Sequence, residues 1–389
     1  MLETMSPPRR LRKLGSQDVV PVPHERYYQY VGSCLARPTQ LSTDGTQKKL
    51  KFQILPQIHA TFSRVVEGIG KPFKFAEYYQ GSSWIRFRIC EAPSNIAILP
   101  EGDWLYKPTV WPSALSIKIN EDGYPQVARK ENFGKARPCD ITSFVRVDRN
   151  ELSVVILPSS HNSNASYFGA VELIVTASHS SIMRIIQEKK RLAEKSTLDV
   201  IKSRLSICSV DGDDEGEVLA DQELCISLTD PFSTTRVKVP CRGVDCRHLD
   251  PFDLSTWLET RPSKDRCAHG LKDVTDCAKC AVYGVDWQEP SLVDTWKCPI
   301  CSADARPNRL VVDGFLQGVV DSLEKQGLNT AKVIYVNAEG KWRPKEELPD
   351  DEDEGSDGDE GPALKRHASD LAKKKVAAPQ AEVVVIDDD

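Results

Sequence analysis

VPCRGVDCRHLDPFDL (239–254) and WKCPIC (296–301) hold Cys246-x-His248 and, with 49 residues intervening after that histidine, Cys298-x-x-Cys301. The two short pairs suit one tetrahedral metal ion. Thiolates together with a neutral imidazole are the donors that Zn²⁺ selects, and four protein ligands leave no open coordination position for a substrate water. The spacing therefore predicts a structural zinc. Metal binding of this kind supplies roughly 10–16 kcal/mol of folding energy in zinc-finger peptides, enough to organise loops with little apolar core of their own.

Composition narrows the classes around that feature. The chain has 389 residues, 40% of them apolar and 28% charged, which is ordinary globular material with room for two medium domains and tails. A net charge of −6 argues against a nucleic-acid binder that uses its whole surface, although it leaves room for a local basic patch. No apolar run approaches the roughly 20 residues needed to span a bilayer. The N-terminal MLETMSPPRRLRKLG has basic residues without an apolar segment behind them, so a secretory signal is not expected. Eight of the twelve cysteines fall between Cys225 and Cys301, several of them in C-x-x-C and C-x-H pairs. That clustering predicts metal ligation in a reducing compartment rather than disulfides.

The chain changes character three times. Residues 1–25 are Pro/Arg-rich, and disorder is expected there. Residues 26–180 contain LKFQIL (50–55), WIRFRI (84–89), ALSIKI (114–119), LSVVIL (152–157) and GAVELIVTA (169–177), short β-type runs with turn residues such as Asn120-Glu121-Asp122-Gly123 among them. Strands without helix-length segments between them predict an antiparallel sandwich. From an N-cap at Ser180 or Ser181, Ile182, Ile185 and Ile186 predict a helix face shared with Leu192, and residues 181–217 read as a helix and acidic linker. The zinc region, 218–325, reads as a small α+β domain, with LVVDGFLQGVVDSLEKQG (310–327) as a strand and amphipathic helix. AKVIYVNAEGKWRP (331–344) predicts a hairpin closing the region at 326–345. From Glu346 to Glu360 acidic residues dominate, so a disordered acidic tail is expected over 346–389.

Three segments in order resemble the Siz/PIAS family of SUMO ligases. ELCISLTDPFSTTRVKVPCRGVDCRHLDPFDLSTWLE (223–259), closed by DTWKCPIC (294–301), is similar to the SP-RING (MIZ-type) zinc finger. ALSIKINEDGYPQVARKENFGKARPCDITSFVR (114–146) resembles the PINIT domain, with Pro138-Cys139-Asp140-Ile141-Thr142 at the name motif. RLVVDGF and the segment Asn337 to Pro344 match the pattern after the finger. Relatives usually carry a DNA-binding SAP helix pair before PINIT. Here about 25 Pro/Arg-rich residues stand there, so a fungal-like form without that module is expected, and direct DNA binding through it is not supported.

The resemblance implies a PINIT-like β-sandwich followed by a RING-like domain whose zinc ligands are Cys246, His248, Cys298 and Cys301. Pro251 stands where relatives have a cysteine, consistent with the lost second RING site, and Cys225 and Cys241 are expected to be ordinary buried or half-buried thiols. Between Trp257 and Trp296 the chain carries an insertion, 262–285, whose Cys267, His269, Cys277 and Cys280 form a candidate second zinc set. The alternative for that set is a disordered loop with incidental cysteines, and an exchange of pairs between the two sets stays open.

The family's implied activity is SUMO transfer without a covalent intermediate on the ligase and without a catalytic residue of its own. The ligase holds the SUMO-charged conjugating enzyme in a near-attack pose for a substrate lysine. The implied docking shelf is Ile226 or Leu228, Trp257 and Ile300, with Trp257 equally readable as core. Val383, Val384, Val385 and Ile386 with Asp387 and Asp388 read as a strand that adds to SUMO's sheet edge. Lys365-Arg366 and Lys373-Lys374-Lys375 suggest nuclear import, so nuclear substrates and a nuclear location are expected, with no membrane partner. The alternative is a non-catalytic nuclear co-regulator that uses the zinc region for docking.

Overall fold

A computed structural model describes residues 26–63, 65–67, 74–76, 78–120, 136–158, 165–208, 223–263 and 290–345. All belong to one compact unit, Met1–Glu346, while Glu347–Asp389 forms a second unit outside the described residues. The inserted Cys267, His269, Cys277 and Cys280, the acidic linker, and the terminal Val383–Asp388 segment also lie outside them.

The first half is built from two antiparallel sheets. One has the order β1-β9-β5-β7, with β1 Tyr27–Leu41, β5 Ser83–Pro93, β7 Cys139–Asp140 and β9 Ala165–Ser178. The other is β2-β8-β6, with β2 Lys48–Ile54, β6 Leu115–Ile119 and β8 Asp148–Ile156. A short ribbon, β3 Val65–Glu67 with β4 Lys74–Ala76, stands apart from both. Alternation places Leu50, Phe52 and Ile54 of β2, Ile117 and Ile119 of β6, and Leu152, Val154 and Ile156 of β8 against Ile85, Phe87 and Ile89 of β5. The chain is thus mainly β, with the expected sandwich at its front.

The longest strand, β1, carries no clean alternation in sequence, because three register shifts along its pairing with β9 break the period. Its sheet is covered on both faces. Val31, Cys90, Phe168, Ala170 and Ile174 pack with Trp104 of the short helix α2 (Glu101–Trp104) on the side away from the sandwich core. Another single turn, α1, spans Pro56–His59.

Helix α3 runs His179–Lys189. Its N-cap is Ser178, whose hydroxyl accepts from Ser181 N–H, rather than Ser180 or Ser181, because β9 continues extended through Ser178. Ile182 and Ile186 are buried, but Ile185 is partly exposed and Leu192 is off the helix. Leu192 sits instead in β10 (Arg191–Leu192), which pairs in parallel with β14 (Leu310–Asp313). A further helix, α4 (Glu194–Cys208), follows.

The second half contains two small sheets. β10 and β14 continue into β12 (Pro240–Gly243) and β13 (Phe252–Asp253). β11 (Glu223–Ser227) pairs with β15 (Val333–Asn337), which forms the expected hairpin with β16 (Trp342–Pro344). Gly340 turns that hairpin at φ +82°, a conformation costly for other residues. Two helices complete the region: α5 (Leu254–Glu259) and α6 (Gly314–Lys325). Each starts from an aspartate cap, Asp253 on Ser255 and Thr256, and Asp313 on Leu316.

The two halves share a core. Tyr28 and Ala177 of the sandwich and Ile182 and Ile186 of α3 pack with Phe252, Leu254, Trp257, Leu258 and Trp296. No helix among the described residues is long and apolar enough to cross a membrane.

Candidate metal centre

Two loops bring the expected ligands together. Cys246 and His248 lie between β12 and β13, and Cys298 and Cys301 lie on the tight turn ahead of β14. The ligand atoms of all four fall within 4.8 Å of one another. Cys246 Sγ and Cys301 Sγ are 3.6 Å apart, and His248 Nε2 is 3.2 Å from Cys298 Sγ. A zinc tetrahedron with bonds near 2.0–2.3 Å has edges of roughly 3.5–3.8 Å, so the cluster is close to the size the ion requires.

Each donor is oriented by the backbone. His248 Nδ1 lies 2.7 Å from the Asp250 carbonyl oxygen, which can only accept. Nδ1 therefore carries a proton and Nε2 is the atom that faces the sulfurs, free to ligate a metal once it gives up its own proton, and the Asp250 carbonyl is the second partner that fixes the ring. On the other loop, Cys298 N–H donates to Ala303 at 2.8 Å and Ser302 N–H donates to the Cys298 carbonyl at 2.9 Å, with Ser302 at φ +61°.

The electrostatics favour thiolate at Cys298. Its pKa is drawn down to about 3, first by a hydrogen bond from the Cys246 thiol, then by His248 and the N–H groups of Cys301 and Ile300, against the opposing effect of burial. Cys246, the partner that keeps its proton, is pushed up by that same bond and then by burial. At His248 burial works downward, but the bond to Cys298 and its charge prevail and the pKa rises. Stabilised thiolate is the form that binds metal.

Packing holds the loops in register. A Cβ on Gly243 would strike the Asp304 carbonyl and come within 3.1 Å of Cys246 Sγ, so glycine lets β12 pass close beneath the second loop. Buried Arg242 donates to the His248 carbonyl at 3.3 Å and pairs with Asp313 at 2.9 Å, tying the C-x-H turn to the cap of α6. Two buried carboxylates join the neighbouring loops. Asp230 accepts from Asp253 N–H at 2.9 Å and from Ser233 N–H at 2.7 Å, while Asp253 accepts from Lys238 and Val239 at 2.8 and 3.0 Å.

The residues expected on a docking shelf separate. Ile300, between two ligands, is 41% exposed. Ile226 of β11 and Leu228 just beyond it are fully buried in a cluster with Phe315, Leu316 and Val319 of α6, so they offer no surface to a partner. Trp257 is core as well, covered by Phe252 and stacked at 5.7 Å beneath Phe232, which is itself 39% exposed. Cys225 is exposed on β11. Cys241 is fully buried, and burial raises its pKa.

The sequence did not single out the junction that fixes the ligand loop to the sandwich. Trp296 donates from its indole N–H to the Gln29 carbonyl at 2.8 Å and meets Tyr28 edge-on at 5.9 Å. Arg306 reaches the Val31 carbonyl at 2.6 Å, and Asn308 the Gly32 carbonyl at 3.0 Å. Arg86 of β5 forks onto Asp294 at 2.5 and 3.0 Å while also pairing with buried Glu172 at 2.5 Å, and Arg88 meets the same glutamate at 2.9 Å. The only available signal was chemical: WIRFRI and GAVELIVTA each carry charge inside a strand dense in apolar residues.

No model of a known protein family matches the chain. Among curated proteins it is similar to E3 SUMO-protein ligase PIAS3 of Mus musculus, 23% identical over 332 residues, covering 82% of this chain and 44% of that protein. It is also similar to E3 SUMO-protein ligase pli1 of Schizosaccharomyces pombe, 24% identical over 210 residues, covering 54% of this chain and 23% of that protein. The chain thus spans less than half the length of either. A crystal structure of the S. cerevisiae SUMO E3 ligase SIZ2 aligns with 82% of this chain and 98% of its own at 16% identity and a TM-score of 0.32. The chain is thus similar to SUMO ligases of the Siz/PIAS family.

Proposed function

We propose that the protein is a SUMO ligase whose zinc-held loops immobilise a SUMO-charged conjugating enzyme for transfer to a substrate lysine. The observation that carries this reading is the closure of Cys246, His248, Cys298 and Cys301 within 4.8 Å, with Ile300 left exposed on the turn between two of them. The names of the relatives support the reaction class. Zinc fits the donor set, and its contribution when bound is to fix the two loops, because four protein donors leave it no open position.

In this reading the chain's own residues bind and orient. Ile300 supplies an apolar contact, and Phe232, backed by Trp257, supplies an aromatic one on the neighbouring loop. No side chain here need act as nucleophile or general base, since the thioester belongs to the conjugating enzyme, and holding reactants in a near-attack geometry can lower a barrier by roughly 7–11 kcal/mol at the upper limit. The sandwich, fixed to the ligand loop through Trp296 and Arg306, presents substrate at a set distance from the docking turn. The terminal valines with Asp387 and Asp388 would hold SUMO, the inserted Cys267, His269, Cys277 and Cys280 a second zinc, and the site of action would be the nucleus.

The test is reconstituted conjugation with purified activating enzyme, conjugating enzyme and SUMO. Adding the protein should speed transfer, and Ile300→Ala should remove most of that gain with the thermal midpoint unchanged. Equal rates with wild type and Ile300→Ala would refute the docking role.

A further inference from the structure

β1 is an edge strand, paired on one side with β9, and an edge strand turns the backbone groups of every second residue away from the sheet. Over Tyr27–Gly32 those groups are covered by the second half of the chain. The Tyr27 carbonyl accepts from Ser291 N–H at 3.1 Å, that of Gln29 from the Trp296 indole at 2.8 Å, and that of Val31 from Arg306 at 2.6 Å. The period of two then breaks at the register shift between Val31 and Ser33, and the Gly32 carbonyl accepts from Asn308 at 3.0 Å. Gln29 N–H, an outward donor, meets Ser291 Oγ at 3.1 Å. Residues 291–308 thus stand where a neighbouring strand would, and they bond chiefly through side chains.

The same stretch carries two of the metal ligands. Lys297 bridges to Asp304, Cys298 N–H donates to the Ala303 carbonyl at 2.8 Å, and Ala305 N–H donates to the Trp296 carbonyl at 3.0 Å. Residues 296–305 are therefore a small hairpin with Cys298 and Cys301 at its head. Trp296 grips β1 from one leg, and Arg306 does so from the end of the other. Arg306 serves two partners at once: Nη2 and Nε fork onto the Asp304 carboxylate at 2.7 and 3.0 Å, while Nη1 takes the Val31 carbonyl. Both members of the ion pair are buried. Asp304 continues the chain of contacts, because its carbonyl lies against Gly243, whose added Cβ would also meet Cys246 Sγ of the other ligand loop at 3.1 Å.

We propose that Arg306 is a positioning residue for the metal site, and that through it metal retention is linked to closure of the β1 edge. The planar guanidinium can hold Asp304 and Val31 together only when the hairpin is seated on the strand. A hairpin drawn into ligand geometry is thus one that aims Arg306 and Asn308 at their carbonyls. Coupling of this kind is reciprocal: whatever the metal adds to seating, seating adds to metal affinity. The inference rests on the zinc reading of the four ligands but not on ligase activity, since neither readout below involves SUMO.

The zinc-loaded full chain tests the linkage from both ends. Competition with a chromophoric zinc chelator should show retention weakened by about tenfold or more in Arg306→Ala, the scale seen when a contact supporting metal ligands is lost. Arg306→Lys, which keeps the charge beside Asp304 but not the fork, should fall between that variant and wild type. Asn308→Ala removes an exposed side chain and only the Gly32 bond, so it should fold normally and show a smaller loss of the same sign. From the other end, stripping zinc should speed amide hydrogen exchange at Gln29 by about tenfold or more, while β2 and β8, which pair with each other, keep their protection. Wild-type retention in both Arg306→Ala and Asn308→Ala, or Gln29 exchange unchanged by chelation, would overturn the proposal. Loss of protection in β2 and β8 together with Gln29 would overturn it too, as one cooperative unfolding rather than release of an edge. A wild type that held no zinc would sink the metal reading and this inference with it, whereas a zinc-holding chain without ligase activity would leave the inference intact.

Discussion

Trp296 donates its indole N–H to the backbone carbonyl of Gln29 at 2.8 Å, which fastens the segment bearing Cys298 to the first strand of the sandwich. The donor is 2% exposed, so the bond is made inside a core shared by both halves. Metal loop and sandwich are therefore one mechanical element.

Trp296→Ala should destabilise the chain by about 3–5 kcal/mol, the usual cost of emptying a buried tryptophan site. Trp296→Phe keeps the edge contact with Tyr28 and loses chiefly the hydrogen bond, so about 1 kcal/mol is expected. Urea denaturation followed by far-UV dichroism measures both.

Arg86 and Asp294 are paired, yet their removal should cost different amounts. Arg86→Ala leaves Glu172 buried with one cation fewer, which predicts a loss of about 3–5 kcal/mol. Asp294 is about half exposed, so Asp294→Ala should cost about 1 kcal/mol or less. The same denaturation curves compare the two.

Acid should weaken the fold through Glu172. Burial opposes its ionisation, but Arg86 and Arg88 prevail and lower its pKa below the usual carboxylate value of about 4.3. The native state then binds fewer protons than the unfolded chain, so this contribution is complete above about pH 4.3 and is lost as pH falls through the lowered native value. Wild type should lose stability as pH falls below about 4.3, and Glu172→Gln, less stable at neutral pH, should show a shallower fall.

Gly243→Ala should loosen the metal site without touching a ligand, since its methyl group would push the Asp304 carbonyl and crowd Cys246 Sγ. Competition with a chromophoric zinc chelator should show weaker metal retention, by about 10–100-fold if the shift resembles loss of a supporting contact around the ligands.

The candidate metal ligands were legible because their chemistry is local: two short pairs of soft donors suit a metal site wherever the chain brings them together. The strands over 50–55, 84–89, 114–119, 152–157 and 169–177 were legible because apolar residues at every second position mark a buried face. β1 was not, since its bulges shift the period. Nor was the fate of Ile226 and Leu228, whose burial depends on α6 and β15, elements that arrive about 90 or more residues later in the chain. Arg86 and Arg88 alternate with Ile85, Phe87 and Ile89 as solvent-facing residues would, and only Glu172 and Asp294, distant in sequence, make them interior.

The most direct measurement is single-turnover discharge of SUMO from the purified, charged conjugating enzyme onto free lysine. The account predicts faster discharge with the zinc-loaded chain, and discharge at the unassisted rate with Cys298→Ser or after chelation. An unassisted rate with fully folded, zinc-loaded protein would contradict it and leave a docking module without ligase activity.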